Sequence, residues 1–331
     1  MSRRLSLALS AALLATVAVS ASASARSTTT ITDLGGLPSA TETSVTSIND
    51  SGVAVGADYG DGRNHAVKFD GAGASELVGP AGAHTYLTSV NNHGAAVGFT
   101  SLPGGATKPI RFNPDGSYVL LSVPFGYSYA HAFAINDGGA TFGSALGATD
   151  GRQIPVRWLP NGVLTSMKLP AGATWGRVTG ASSNGYVSGF VSGPGMEQLA
   201  VRWNPDSSVT KLPRMSDGEP TTAQAVNRHG DVVGTGRFAN GEGTFGVRWN
   251  ADGSMNKYGP NIEPKSINDD GVAVGFTYVA DKQHPYRWTK DGEELALGFP
   301  EGADSVTTLD INNAGVIVGS AGGRAYKWTV S

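Results

Sequence analysis

The sequence predicts an all-β fold: a closed seven-bladed β-propeller with four strands in each blade. Three observations predict it. A nine-residue phrase occurs seven times, at intervals of roughly 41–46 residues. A second phrase follows every copy of the first, and a segment near the N-terminus matches what the last unit lacks. A period of about 40 residues built from strand-like pieces is the signature of a blade array.

The first phrase reads INDSGVAVG from Ile48, VNNHGAAVG from Val90, INDGGATFG from Ile135, ASSNGYVSG from Ala181, VNRHGDVVG from Val226, INDDGVAVG from Ile267 and INNAGVIVG from Ile311. Asn-Asp-x-Gly is turn chemistry, because Asn and Asp bond their own backbone and Gly accepts positive φ. Val53 and Val55 then alternate with small residues, as in a strand. The second glycine of the phrase is expected to end that strand or to mark a close backbone approach.

The second phrase reads HAVKF from His65, KPIRF from Lys108, IPVRW from Ile154, LAVRW from Leu199, FGVRW from Phe245, HPYRW from His284 and RAYKW from Arg324. It is a second strand, with the apolar residue and the aromatic on one face and the base on the other. A short apolar stretch then ends in proline at Pro80, Pro124, Pro170, Pro213, Pro260 and Pro300, and one more strand lies between that proline and the next Asn-Asp turn. The last unit stops at Ser331 without a fourth strand, whereas Thr30 to Pro38 (TITDLGGLP) has that pattern with nothing before it. The N-terminal segment is therefore expected to complete the last blade and close the ring, which removes two exposed sheet edges.

Arg3 and Arg4 precede an apolar run from Leu5 to Val19 and a Ser-Ala alternation from Ser20 to Ala25. This is a secretory signal peptide over residues 1–25, cleaved after Ala23 or Ala25, with the general secretory route favoured over a twin-arginine route. Residues 26–331 are then one propeller domain, secreted and extracellular, or periplasmic where there is an outer membrane. The run is too short for a membrane span, and membrane insertion of the mature chain is not expected. The chain has 331 residues, a net charge of -3 and no cysteine. That balance gives a nucleic-acid role no electrostatic support, and it removes disulfides, thiol nucleophiles and thiolate metal sites from consideration. A monomer without a cofactor or metal is expected.

The order IND-x-G-x-x-x-G, then [AP]-x-[RK]-[WF], then x-L-x-x-P resembles the bacterial extracellular HAF-repeat family across the mature chain. Of its usual His-Ala third-strand start, only His65-Ala66 is intact and His284 keeps the His; Ala181-Ser182-Ser183 departs from Ile-Asn-Asp. The resemblance implies a secreted propeller and supplies no catalytic residue. The plan is also similar to secreted actinobacterial seven-bladed propellers that interact with extracellular proteases.

Function is expected in what does not repeat. After three successive prolines come His84 and Tyr86, then Tyr127, Tyr129 and His131, then Trp175 and Arg177. These seven residues fall in neighbouring blade-to-blade connections and form the candidate ligand-binding site, since loop aromatics suit sugar rings or protein hot spots. The alternative is that they pack between blades. The remaining connections are acidic and polar, with Glu42, Asp217, Glu219, Glu263, Glu301 and Asp304. The repeated bases Lys68, Arg111, Arg157, Arg202, Arg248, Arg287 and Lys327 are read as structural, and so are the repeat tryptophans. His93 and His229 belong to turns of the opposite face.

No G-x-S-x-G, H-E-x-x-H or EF-hand loop occurs. The reading is a non-enzymatic scaffold that binds an extracellular protein (a secreted protease among them) or a glycan. The second reading is a polysaccharide-active enzyme on the same face. It would be a glycoside hydrolase with carboxylates among Asp217, Glu219, Glu301 and Asp304, or a lyase with Tyr and His as base and acid and Arg177 neutralising a uronate.

Overall fold

The computed structural model describes residues 28–331 except Asn240 and Glu242, so the signal peptide expected over residues 1–25 lies outside the described residues. Seven four-stranded antiparallel sheets form a ring, a seven-bladed β-propeller. Blade 1 runs from axis to rim as Glu42–Ile48, Ala54–Gly60, Arg63–Asp70 and Gly73–Glu76. The inner strands of the next six blades are His84–Val90, Tyr127–Ile135, Trp175–Ala181, Thr221–Val226, Ile262–Ile267 and Thr307–Ile311. Together they line the central channel.

Closure follows the sequence expectation. Thr29–Asp33 is the outermost strand of blade 7 and pairs antiparallel with Arg324–Val330, with Ile31 opposite Trp328. The Thr28 and Ser331 backbones exchange both N–H···O bonds at 3.0 Å. Leu34 and Leu37, just beyond that strand, pack on the cluster of Val45, Val67, Phe69 and Val318 that joins blades 7 and 1.

The repeated residues hold blade to blade. Trp158, Trp203, Trp249, Trp288 and Trp328 are all at most 3% exposed. The Trp158, Trp203 and Trp249 indoles each donate to a backbone carbonyl of the preceding blade-to-blade connection: Ser122, Lys168 and Pro213, at 2.7–2.8 Å. On the opposite face the turn asparagines form a chain around the axis. Asn49 donates to the Asn91 carbonyl, Asn91 to Asn136, Asn227 to Asn268, Asn268 to Asn312, and Asn312 back to Asn49. Ser182 stands in the asparagine position of blade 4.

The bases belong to the same system. Arg248 is 2% exposed, donates to the Gly271 carbonyl of the next blade's turn at 2.8 Å and pairs with Asp231 at 2.7 Å. Arg202 reaches the equivalent carbonyl, that of Gly230.

The two repeat glycines do different jobs. The first has φ of 76° to 96° in all seven turns, a conformation that costs other L residues energy. The second is not a strand end. It lies inside the second strand, opposite a bulge in the inner strand such as that between Val45 and Ser47. A Cβ on Gly56, Gly98, Gly143, Gly189, Gly234 or Gly275 would overlap the carbonyl oxygen of Ser44, Tyr86, His131, Arg177, Thr222 or Glu263. Of the two sequence expectations for this glycine, close approach is the correct one.

Candidate binding site at the channel mouth

The structure corrects the placement of the candidate residues. They are not on loops. His84, Tyr86, Tyr127, Tyr129, His131, Trp175 and Arg177 all lie on inner strands, toward the end that follows the blade-to-blade connection. Side chains alternate along a strand, so one residue in two looks into the channel. At equivalent positions around the wall stand Ser44, Tyr86, His131, Arg177, Thr222 and Glu263, the residues whose carbonyls face the second repeat glycine. Two residues nearer the mouth stand Glu42, His84, Tyr129 and Trp175. The channel-facing half of an inner strand has no core to fill, so it lacks apolar alternation and reads as a connection.

Blades 2 to 4 thus contribute one aromatic wall. Tyr86 stacks on Phe99 with centroids 5.0 Å apart, and Phe99 stacks on His131 at 4.0 Å with the rings 15° from parallel. Tyr129 leans on His131 at 5.0 Å, and Phe133 meets its edge at 6.0 Å. The Arg177 guanidinium sits 4.9 Å over the Phe133 ring, and Trp175 meets Phe190 edge-on at 6.0 Å. Asn64 of blade 1 donates to the Tyr86 hydroxyl at 2.6 Å and, through its backbone N–H, to His84 Nδ1 at 3.4 Å. Burial, and secondarily the Arg177 charge, hold the His131 pKa below its ordinary value of 6.5. At neutral pH His131 is an uncharged ring in a stack.

Beside this wall, blades 3 and 4 enclose a cleft of about 490 Å³. Trp175, Arg177 and Phe190 line one part of it, and Arg152, Gln153 and Gln198 another. Across the channel the same ring levels are polar. Ser44 and Thr46 bond to backbone carbonyls, and Glu263 is taken up by Lys265 at 2.6 Å.

Tyr127 does not join the array. A register shift between Tyr127 and Tyr129 turns it out of the alternation. It packs on the core cluster containing Leu121, Ala130, Val156 and Trp158. Phe99, Phe133 and Phe190 are members that the sequence reading missed. Phe99 and Phe190 directly follow a repeat glycine, where other copies have Ala57, Ser144, Thr235 and Ser320, but Phe276 of blade 6 stands at the same position, so the sequence alone did not single them out.

The carboxylates considered for hydrolysis are less suited to it. Asp217 and Glu219 precede blade 5, and Glu301 and Asp304 precede blade 7, two blades away. Lys282, 2.8 Å from Asp304, holds that carboxyl below its ordinary range, the wrong direction for a general acid. The raised carboxyls, Asp58 and Asp310, lie elsewhere; burial lifts each. Asp310 accepts hydrogen bonds from Ser47, Ser266 and the Ile48 and Ile311 amides in the channel wall. Among the described residues, no three His, Cys, Asp or Glu are placed to share a metal ion.

No family model and no curated protein sequence matches the chain. Solved structures of similar fold do. A streptogramin B lyase structure matches with a TM-score of 0.62 and 13% identity over 92% of this chain and 98% of that one. A catalytically inactive virginiamycin B lyase from Staphylococcus aureus with quinupristin matches at 0.60 and 14%, over 91% and 99%. A prolyl endopeptidase matches at 0.61 and 12%, over 88% of this chain and 50% of that one. At such identities the likeness is one of fold, a propeller ring common to proteins of different chemistry.

Proposed function

We propose that this protein is a secreted binding scaffold of the HAF-repeat kind, which holds an extracellular glycan at the channel mouth of blades 2 to 4. The observation that carries the proposal is the aromatic wall of Tyr86, Phe99, Tyr129, His131 and Trp175, which continues into an open cleft. Sugar rings present flat C–H faces that stack on such side chains, and rigid aromatics lose little entropy when they bind. Tyr86, Phe99 and His131 are already stacked on one another, Tyr129 leans on His131 and Phe190 braces Trp175, so the surface is preorganised.

An extracellular protein partner, such as a secreted protease, is the second reading. It is favoured by Phe125 and Val78, which are 105% and 67% exposed in the connections that enter blades 3 and 2. Because structures of similar fold include lyases, turnover belongs in the same assay.

Mature protein is screened against a polysaccharide panel and against culture-secreted proteins, with product analysis of each glycan. Truncating an aromatic anchor typically costs about 2 kcal/mol of binding. Tyr129→Ala and Trp175→Ala are therefore expected to weaken glycan binding about thirtyfold, at about 1.4 kcal/mol per tenfold. His93→Ala on the opposite face is expected to leave it unchanged. Intact affinity in both aromatic variants moves the site off this wall. Release of shortened or unsaturated sugar favours the enzyme reading.

A further inference from the structure

We propose that the cleft between blades 3 and 4 is a subsite for an acidic sugar, a uronate ring whose carboxylate is taken by Arg177 and whose face lies on Trp175. This rests on the glycan-binding reading above and narrows its substrate class.

The first support is an unpaired, positioned cation. Arg177 is exposed and lines the cleft. Among the described residues no hydrogen bond or ion pair engages its guanidinium, which lies 4.9 Å over the Phe133 ring. The other base of the inner-strand wall, Lys265, is already neutralised by Glu263. Stacking on an aromatic fixes the plane of a guanidinium and leaves its N–H fork free, the geometry that suits a carboxylate. Arg152, across the cleft, is 54% exposed and holds its own loop's Asp150 only at 3.8 Å, so a second cation is within the same space.

The second support is what surrounds that cation. Trp175 is half-buried and braced edge-on by Phe190, an apolar wall of fixed orientation. Gln153 and Gln198 line the cleft; Gln198 Nε2 already donates to the Thr222 hydroxyl, so the Gln153 amide and the Gln198 side-chain carbonyl are the groups that match sugar hydroxyls. Gly151, Thr174, Gly193 and Pro194 complete the lining without long side chains. The volume of about 490 Å³ lies inside the range of about 300–1,000 Å³ of small-molecule sites. An acidic peptide side chain would use the cation and leave Trp175 and the amides unengaged, whereas a hydroxylated, carboxylated ring uses all three.

The test is calorimetry of the mature protein with oligogalacturonate, with the same oligomer fully methyl-esterified, with oligoalginate, with a sulfated oligosaccharide and with an oligoglutamate peptide. The expected result is binding of at least one of the two uronates, at least tenfold tighter than the methyl ester when the galacturonate binds. Arg177→Gln, at unchanged melting temperature, is expected to abolish uronate binding or reduce it to the level of the ester. Trp175→Ala is expected to weaken acid and ester alike. Equal affinity for acid and ester would overturn the uronate subsite and leave the aromatic glycan site standing. Tighter binding of the sulfated sugar or of oligoglutamate, dependent on Arg177, would overturn the carboxylated sugar as the ligand. Failure of both uronates to bind would also overturn the proposal. Uronate binding that survives Arg177→Gln, Trp175→Ala and Tyr129→Ala would overturn both the subsite and the aromatic-wall reading.

Discussion

Arg248 and His131 show how a single side chain is committed to the frame or to the site. Arg248 is buried with Asp231 and spans to the turn of blade 6. Burial opposes the Asp231 charge, but the Ala251 amide and the Arg248 guanidinium together hold its pKa below the usual carboxylate value. Removing one partner of such a pair strands the other charge, a loss of about 3 kcal/mol or more. Arg248→Met is therefore expected to lower the unfolding free energy by that amount, read from the shift of the denaturation midpoint, and to leave glycan affinity per folded molecule unchanged. Weakened binding at normal stability would give the repeated bases a functional role. His131 is instead held in its neutral form. Its folded pKa lies below 6.5, so the unfolded chain binds more protons in the window from 6.5 down to the folded value. Stability from this group is complete above about 6.5 and is lost as pH falls through that window. His131→Phe keeps a ring on Phe99 and removes the titration. Denaturant melts at pH 7.5 and 5 are expected to show a smaller acid loss in the variant; an equal loss would mean that His131 is not held neutral.

Inner strands and closing strand differ in how legible they were. The turn asparagines, the bases and the tryptophans repeat because each blade needs the same contacts to its neighbour, so the blade count and the ring could be read directly. TITDLGGLP was legible as the closing strand for the same reason: it fits a vacancy in a periodic pattern. The inner-strand candidates stand out in the sequence but read as loops, because channel-facing positions such as Tyr86, His131 and Arg177 follow no apolar period. Phe99 was missed because it stands on a second strand, and its stacking partners come from two blades, a juxtaposition that only the ring creates. Tyr127 was included because sequence adjacency conceals the register shift that turns it into the core. The closing strand carries its own prediction. Deleting residues 29–38 removes five ladder pairs with Arg324–Val330 and the Leu34 and Leu37 contacts between blades 7 and 1. It also bares a sheet edge. The truncated protein is expected to melt far below the intact chain or to aggregate. A wild-type melting temperature would refute the closure.

In an open repeat array each unit contacts only its neighbours, so ends fray and the middle persists. A closed ring has no end. Core clusters here cross from one blade to the next: Phe142 of blade 3 packs with Val178 and Trp203 of blade 4, Val233 of blade 5 with Ile267 and Trp288 of blade 6, and Val274 of blade 6 with Ile311 and Trp328 of blade 7. The asparagine chain and the strand from the N-terminus tie blade 7 to blade 1. Losing any one junction therefore opens the circle and weakens both neighbours, which favours one cooperative transition over stepwise loss of blades. The buried tryptophans of blades 3 to 7 report this directly. In variants that keep only Trp158 or only Trp328, with Trp175 and the other repeat tryptophans changed to Phe, the residue that blades 1 and 2 use at Phe69 and Phe112, both fluorescence midpoints are expected to coincide with the far-ultraviolet circular dichroism midpoint of the same variant. The variants differ in overall stability, so the comparison is made within each one. A Trp158 signal that persists after the dichroism of its own variant has fallen would show that blade 3 survives the opening of the ring, and would assign stability to the blades singly and not to closure.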